Sequence, residues 1–253
     1  HTLYGSRDSS QYMVTPSQAN RIHVLAEGES PTLGSSTGRS AAAPGDPGGQ
    51  AAGIVFPVTI RITDSYWNQV TQGSTTVKLT TTDPNDIEPA TFTVFGSVTV
   101  SSITLVRAVT TQVLIFDCGA NGVCADGDDI LRDNDGLDNN LVTTPDNLDD
   151  AQSKPITVSA GGANRIILIH HQNGQSLNQG ATGYAVARAG SVSDYTAGVS
   201  FDVRVYLTDS YFNVRTGERN GHIVRVTAPL DSYADSPGFT GPIDSDEGYA
   251  TIS

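Results

Sequence analysis

GIVFPVTIRITDSYWN, residues 53–68, returns later in the same chain as GVSFDVRVYLTDSYFN, residues 198–213. Eight of the sixteen positions are identical, and four more exchange similar apolar side chains. In the first copy Phe56, Val58, Ile60 and Ile62 alternate with Pro57, Thr59, Arg61 and Thr63; in the second, Phe201, Val203, Val205 and Leu207 alternate with Asp202, Arg204, Tyr206 and Thr208. A period of two sends one row of side chains inward and the other toward water, so both stretches read as half-buried strands. Each strand enters Thr-Asp-Ser-Tyr-aromatic-Asn, where Asp and Asn favour a turn, and further strands are expected at 77–82 and 223–227. Strand, polar turn and strand make an antiparallel hairpin.

The repetition extends beyond the hairpin. Ala19-Asn20-Arg21-Ile22 matches Ala163-Asn164-Arg165-Ile166 at a spacing of 144 residues, the glycines opening the quoted stretches are 145 apart, and Val77-Lys78-Leu79-Thr80 answers Val224-Arg225-Val226-Thr227 at 147. So small a drift means colinear units whose differences fall in loops. Residues 21–25 and 165–169 read as strands followed by Gly-, Ser- and Pro-rich loops, and 91–100 and 103–116 add β-branched and aromatic residues. No apolar spacing of three and four persists over eleven residues, so helix is expected to be nearly absent. The expected fold is all-β, two tandem antiparallel Ig-like β-sandwiches joined by an Asp-rich loop. The chain divides into an arm or the end of a preceding unit (1–8), a first unit (9–117), a connector (118–152) and a second unit (153–253).

In the 253 residues, 27 acidic side chains against 14 basic ones give a net charge of −13. Such a surface repels phosphate backbones and anionic lipid, which excludes nucleic acid and membrane surfaces as expected partners. No apolar run approaches the roughly 20 residues a membrane helix needs, so no membrane insertion is expected. His1 is followed by no charged-then-apolar leader, which reads as a mature product or an excised piece. Two lysines against twelve arginines, with abundant Thr, Ser, Gly, Asp and Val, is a profile shared with secreted β-proteins. An acid-rich protein from a high-salt organism would show the same charge balance.

The run Ala-Gly-x-x-Phe-x-Val-x-(Ile/Val)-x-(Ile/Leu)-x-Asp-x-Tyr-x-Asn, at 52–68 and again at 197–213, resembles the bacterial Ig-like repeats of large surface and secreted proteins, the invasin-like group among them. The Ala-Asn-Arg-Ile openings and Val113-Leu114-Ile115-Phe116-Asp117 are similar to that group's first and last strands. The resemblance covers both units and implies fold more than function, because such repeats serve as adhesin stalks, fibre subunits and spacers in secreted enzymes alike. Against the first unit, the second has no counterpart of its last strand. A sandwich short of a strand exposes an apolar groove and unpaired backbone groups, so a continuing polypeptide or a strand from a neighbouring molecule is expected to complete it.

The connector carries Asp126, Asp128, Asp129, Asp133, Asp135 and Asp138 among ten aspartates counted from Asp117, with Arg132 its one basic residue. Asp133-Asn134-Asp135-Gly136-Leu137-Asp138, preceded by Asp126-Gly127-Asp128-Asp129, resembles the Asp-x-Asp-Gly loops that wrap calcium with hard oxygen ligands, although Leu131 occupies the first ligand position of a full EF-hand loop. Calcium is therefore one reading, and a solvated acidic linker is the other. Cys118 and Cys124 enclose five residues, a loop that a disulfide can close in an oxidising compartment; a pair of free thiols is the alternative.

Other chemistry is set aside. Gly34-Ser35-Ser36-Thr37-Gly38 fits the Gly-x-Ser-x-Gly string of serine hydrolases, yet the residues that follow cannot build the required helix, and the second copy lacks the serine. His170 and His171 are adjacent at a strand end and point to opposite faces. His23 and His222 stand alone. A Lys-to-Asn cross-link at Lys78 has no match, because Arg225 holds the corresponding position. Tyr66-Trp67 and Tyr211-Phe212 sit in turns, where one ring of each pair can cap the sandwich and the other can contact a sugar or a neighbouring subunit. The sequence thus reads as a non-enzymatic, extracellular or cell-surface structural protein, a repeat segment or subunit of a fibre, filament or adhesin stalk. Its expected partners are copies of itself or neighbouring repeats, with a glycan or cell-surface ligand in an adhesive role. The rival reading is a carbohydrate-binding or spacer module of a secreted hydrolase.

Overall fold

The computed structural model describes residues 13–40, 47–118, 151–217, 222–228, 230, 242–244 and 246–252. The arm at 1–8, the six connector aspartates and Cys124 lie outside the described residues. The strands in chain order are β1 (Arg21–Ala26), β2 (Gln50–Ala51), β3 (Val55–Thr63), β4 (Ser74–Thr81), β5 (Phe92–Phe95), β6 (Ser97–Thr104), β7 (Thr110–Thr111) and β8 (Val113–Asp117). They continue with β9 (Ala151–Gln152), β10 (Ile156–Ser159), β11 (Arg165–Ile169), β12 (Ser176–Leu177), β13 (Arg188–Ala189), β14 (Val203–Thr208) and β15 (Tyr249–Ile252). Among the described residues, helix amounts to the single turn α1 (Tyr184–Ala187) and a 3-10 turn at His171–Asn173. The protein is all-β, as the alternation of its apolar residues requires.

In the first unit β3 lies between β1 and β6, and β4 and β8 form the centre of a second sheet ordered β5-β4-β8-β9. The inward row Phe56, Val58, Ile60 and Ile62 is fully buried against Val77, Leu79, Val94, Val113 and Ile115. Burial of each such side chain stabilises the fold by about 1.5–3 kcal/mol. Register slips between Phe56 and Val58, where Pro57 has no N–H to give the ladder. The outward row is drier than a simple alternation implies: His23, Leu25 and Arg61 are also buried. The loop that follows β1 folds back toward it: Arg39 donates to Val24 O (2.9 Å), and Gly38 packs on the Trp67 ring, which lies 4.9 Å from the His23 ring.

The second unit repeats the first sheet in register. Ile22 faces Ile62 across β1 and β3, and Ile166 faces Leu207 across β11 and β14. β15 takes the place of β6, pairing Val203 with Ile252 as Val58 pairs with Val100. The expected strand at 223–227 does not form, and most of these residues are exposed. In the first unit the equivalent strand is held by β8, and among the described residues the second unit presents no such partner. Consistently, Ile22 is 2% exposed and Ile166 42%, while Phe56 is 1% exposed and Phe201 41%.

Residues 151–159, placed in the connector and at the head of the second unit by sequence, join the first unit's sheets. β9 extends the second sheet beside β8, and β10 runs parallel to β2 and antiparallel to β7. Ile156 and Val158 enter the first unit's core. Lys154 reaches the buried carboxylate of Glu29 at 3.6 Å, as does Arg39. The chain therefore completes the first sandwich before it begins the repeated strand β11. No helix among the described residues is long and apolar enough to cross a membrane.

Candidate functional site

The feature shared by both units is the turn after β3 and after β14. Asp64 is buried; its Oδ1 accepts the amides of Tyr66 (2.9 Å) and Asn68 (2.9 Å), and its Oδ2 accepts the Ser17 amide (3.0 Å) and Asn68 Nδ2 (3.1 Å). Asp209 does the same: Oδ1 accepts Tyr211 N (2.8 Å) and Asn213 N (3.0 Å), and Oδ2 accepts Gly161 N (2.8 Å) and Asn213 Nδ2 (2.9 Å). Four donors on one carboxylate compensate its removal from water. Burial alone would raise the Asp64 carboxyl; the hydrogen bonds from Asn68, Ser17 and Tyr66 outweigh it and hold the group below its ordinary range.

This clamp forces the next aromatic residue into a left-handed conformation, φ 64° at Trp67 and 59° at Phe212. A bulky side chain there is strained by about 1–3 kcal/mol. Burial of both rings offsets that strain. Trp67 lies 4.9 Å from the His23 ring and beneath the Arg21 guanidinium (5.0 Å), and Phe212 lies beneath Arg165 (4.8 Å). The loop that carried the hydrolase-like string closes over Trp67: Gly34 N–H donates to Tyr66 O (2.8 Å), and any β-carbon on Gly38 would overlap the indole. Gly180 N–H donates to Tyr211 O (2.9 Å) in the same way. Ser36 thus sits in a turn that packs an aromatic ring.

The two turns differ in what they touch. Asn213, fully buried, donates from Nδ2 to Val106 O (2.7 Å) and accepts at Oδ1 from Ala108 N (2.9 Å), both in the first unit. The Tyr211 ring covers Gly53, and Gly180 packs on Arg107 and Asn85. Ala52 N–H donates to Ser159 O (2.8 Å), and Gly161 approaches the Ala52 carbonyl. The repeated turn is the junction between the units. Its hydrogen bonds join backbone groups and the Asn213 amide, and its glycines admit the Tyr211 ring and the Arg107 and Asn85 side chains, which suits it to shape and hydrogen-bond matching.

No family model and no curated protein matches the chain. Among solved structures it is similar to domains 5–6 of the S-layer protein SbsC, with 13% identity, 91% of this chain and 85% of that chain covered, and a TM-score of 0.20.

Of the aromatic pairs, Trp67 and Phe212 are buried, Tyr211 is half-buried on Gly53, and Tyr66 is 66% exposed. Cys118 is buried, and no cysteine among the described residues is free. His170 Nδ1 lies 2.8 Å from the Tyr195 hydroxyl, while His171 begins the 3-10 turn. No cluster of three metal-ligating side chains occurs among the described residues. Sequence reading marked Asn68 and Asn213 only as turn residues. No signal in the repeat separates them, because the turn and the Ala-Gly pair at 52–53 and 197–198 recur together at the same spacing of 145 residues.

Proposed function

We propose that the chain is a non-enzymatic structural protein, a segment or subunit of an extracellular fibre or adhesin stalk built from Ig-like units. The observation that carries this reading is the bonding of Asn213 to Val106 and Ala108. The most regular motif of the repeat is spent on holding unit to unit. A module that only spaced a catalytic domain would gain little from making its repeated turn the joint. In this reading the Cys118–Cys124 loop is a disulfide, and the aspartates at 126, 128, 129, 133, 135 and 138 bind calcium, which stiffens the connector. The protein would act outside the cell, with copies of itself as its first partners. Immunogold electron microscopy on unfixed native cells tests the placement. Label in rows or threads outside the envelope is expected, and label confined to the cell interior contradicts the reading.

A further inference from the structure

Several parts of the junction have a described counterpart elsewhere in the chain, and these counterparts lack the contacts that the junction makes. On the second unit's side, Val158 is 4% exposed, Gly180 is covered, Asn213 bonds Val106 and Ala108, and Gly161 lies against the Ala52 carbonyl. Their equivalents in the first unit are Val14, 78% exposed; Gly34, where a β-carbon would meet nothing within 4 Å; Asn68, bonded only within its own turn among the described contacts; and exposed Ser17. On the first unit's side, Ala52 is buried and Gly53 lies under Tyr211. Their equivalents, Ala197 and Gly198, are exposed, and Gly198 too has nothing within 4 Å of a β-carbon position. Gly53 and Gly198 share the same left-handed backbone, φ 80° and 78°, so the second surface already has the shape of the first.

We infer that a second copy of this chain docks head-to-tail: Met13 to Ser17, Gly34 and Tyr66 to Asn68 of one copy cover Ala197 and Gly198 of the next, repeating the Ala-Gly part of the internal junction. In that contact the Tyr66 ring lies on Gly198 as Tyr211 lies on Gly53. The segment around Val14 adds beside residues 195–196 as β10 adds beside β2, a strand-addition contact. The joined surfaces are different on the two sides, so the contact is heterologous and propagates into an open filament wherever the rotation does not close. This inference rests on the structural reading above and names its partner and its surface.

The test uses cysteines at Ser17 and Ala197 in the full chain, since Gly161 and Ala52 adjoin at the internal junction. Both positions are exposed, so folding is unaffected. Under mild oxidation the S17C/A197C double variant should form a ladder of dimers, trimers and higher species on non-reducing gels, while each single variant stops at dimers. Adding Tyr66→Asp or Val14→Asp should reduce the ladder at least fivefold. A double variant that links no further than the single variants overturns the proposal, and so does a ladder indifferent to both aspartate substitutions. Either failure would leave the extracellular placement, tested by the gold label, standing on its own.

Discussion

The ring of Tyr211 in the second repeat lies directly on Gly53 of the first, and Gly53 holds a backbone, φ 80°, that side-chain-bearing residues rarely adopt. Glycine is required there twice over, for conformation and for contact. Gly198 has the conformation without the contact. Gly198→Ala should therefore cost only the left-handed strain, about 1–2 kcal/mol. Gly53→Ala must also displace the ring, and should cost about 1–3 kcal/mol more, as for other overpacked sites. Denaturant unfolding of the two variants side by side measures the difference, and equal losses would deny the junction its role.

Asn213→Ala removes the bonds to Val106 and Ala108 along with the amide bond to Asp209, leaving the buried Val106 carbonyl unpaired at about 1–3 kcal/mol and the half-buried Ala108 N–H at less. Asn68→Ala removes the amide bond to Asp64 from a half-exposed position, at about 1 kcal/mol. Limited proteolysis should show faster cleavage between the units in Asn213→Ala only. Identical patterns for the two variants would mean that the asparagine serves the turn and not the joint.

His23 is buried among Leu25, Trp67, Arg39 and Arg61, with neither ring nitrogen hydrogen-bonded. Burial first, and then the Arg39 and Arg61 charges, push its pKa from 6.5 to about 3. A base depressed on folding stabilises the fold above pH 6.5 and loses that contribution as the pH falls toward 3, because only the unfolded chain gains the proton. The second unit places Ile167, equally buried, at the matching position. His23→Ile should therefore raise stability at pH 5 relative to pH 8 by about 2 kcal/mol. Thermal melts across that range give the slope, and a wild-type slope in the variant would refute the assignment.

The connector aspartates should bind calcium with measurable heat at millimolar concentration, and Asp133→Asn with Asp135→Asn should abolish it by removing two hard ligands. Isothermal titration of the full chain reads this. A flat titration would reduce the segment to a solvated acidic linker.

Much of the sheet was legible because alternation is local. Phe56, Val58, Ile60 and Ile62 define β3 from side-chain order alone, and β11 falls at the expected residues, Arg165–Ile169. Partner choice is nonlocal and was not legible. Ile156 and Val158 alternate as a strand should, yet nothing in their order says that they add to β2 and β7 of the preceding unit. The stretch at 223–227 has strand composition, but the strand that would hold it is not among the described residues. Burial of His23 and Arg61 on the supposed wet face depends on a loop that folds back over the sheet. The two turns were found as motifs, but their roles separate only when neighbours are seen, since Asn68 and Asn213 close the same Thr-Asp-Ser-Tyr-aromatic-Asn turn and differ in what lies against them.

Electron microscopy of the purified full chain over rising concentration tests the central claim most directly, that the repeat is made to mate with its own kind. Threads of uniform width, lengthening with concentration and lost in Tyr66→Asp, are the predicted result. Discrete, unassociated 26.5 kDa particles at every concentration would contradict it.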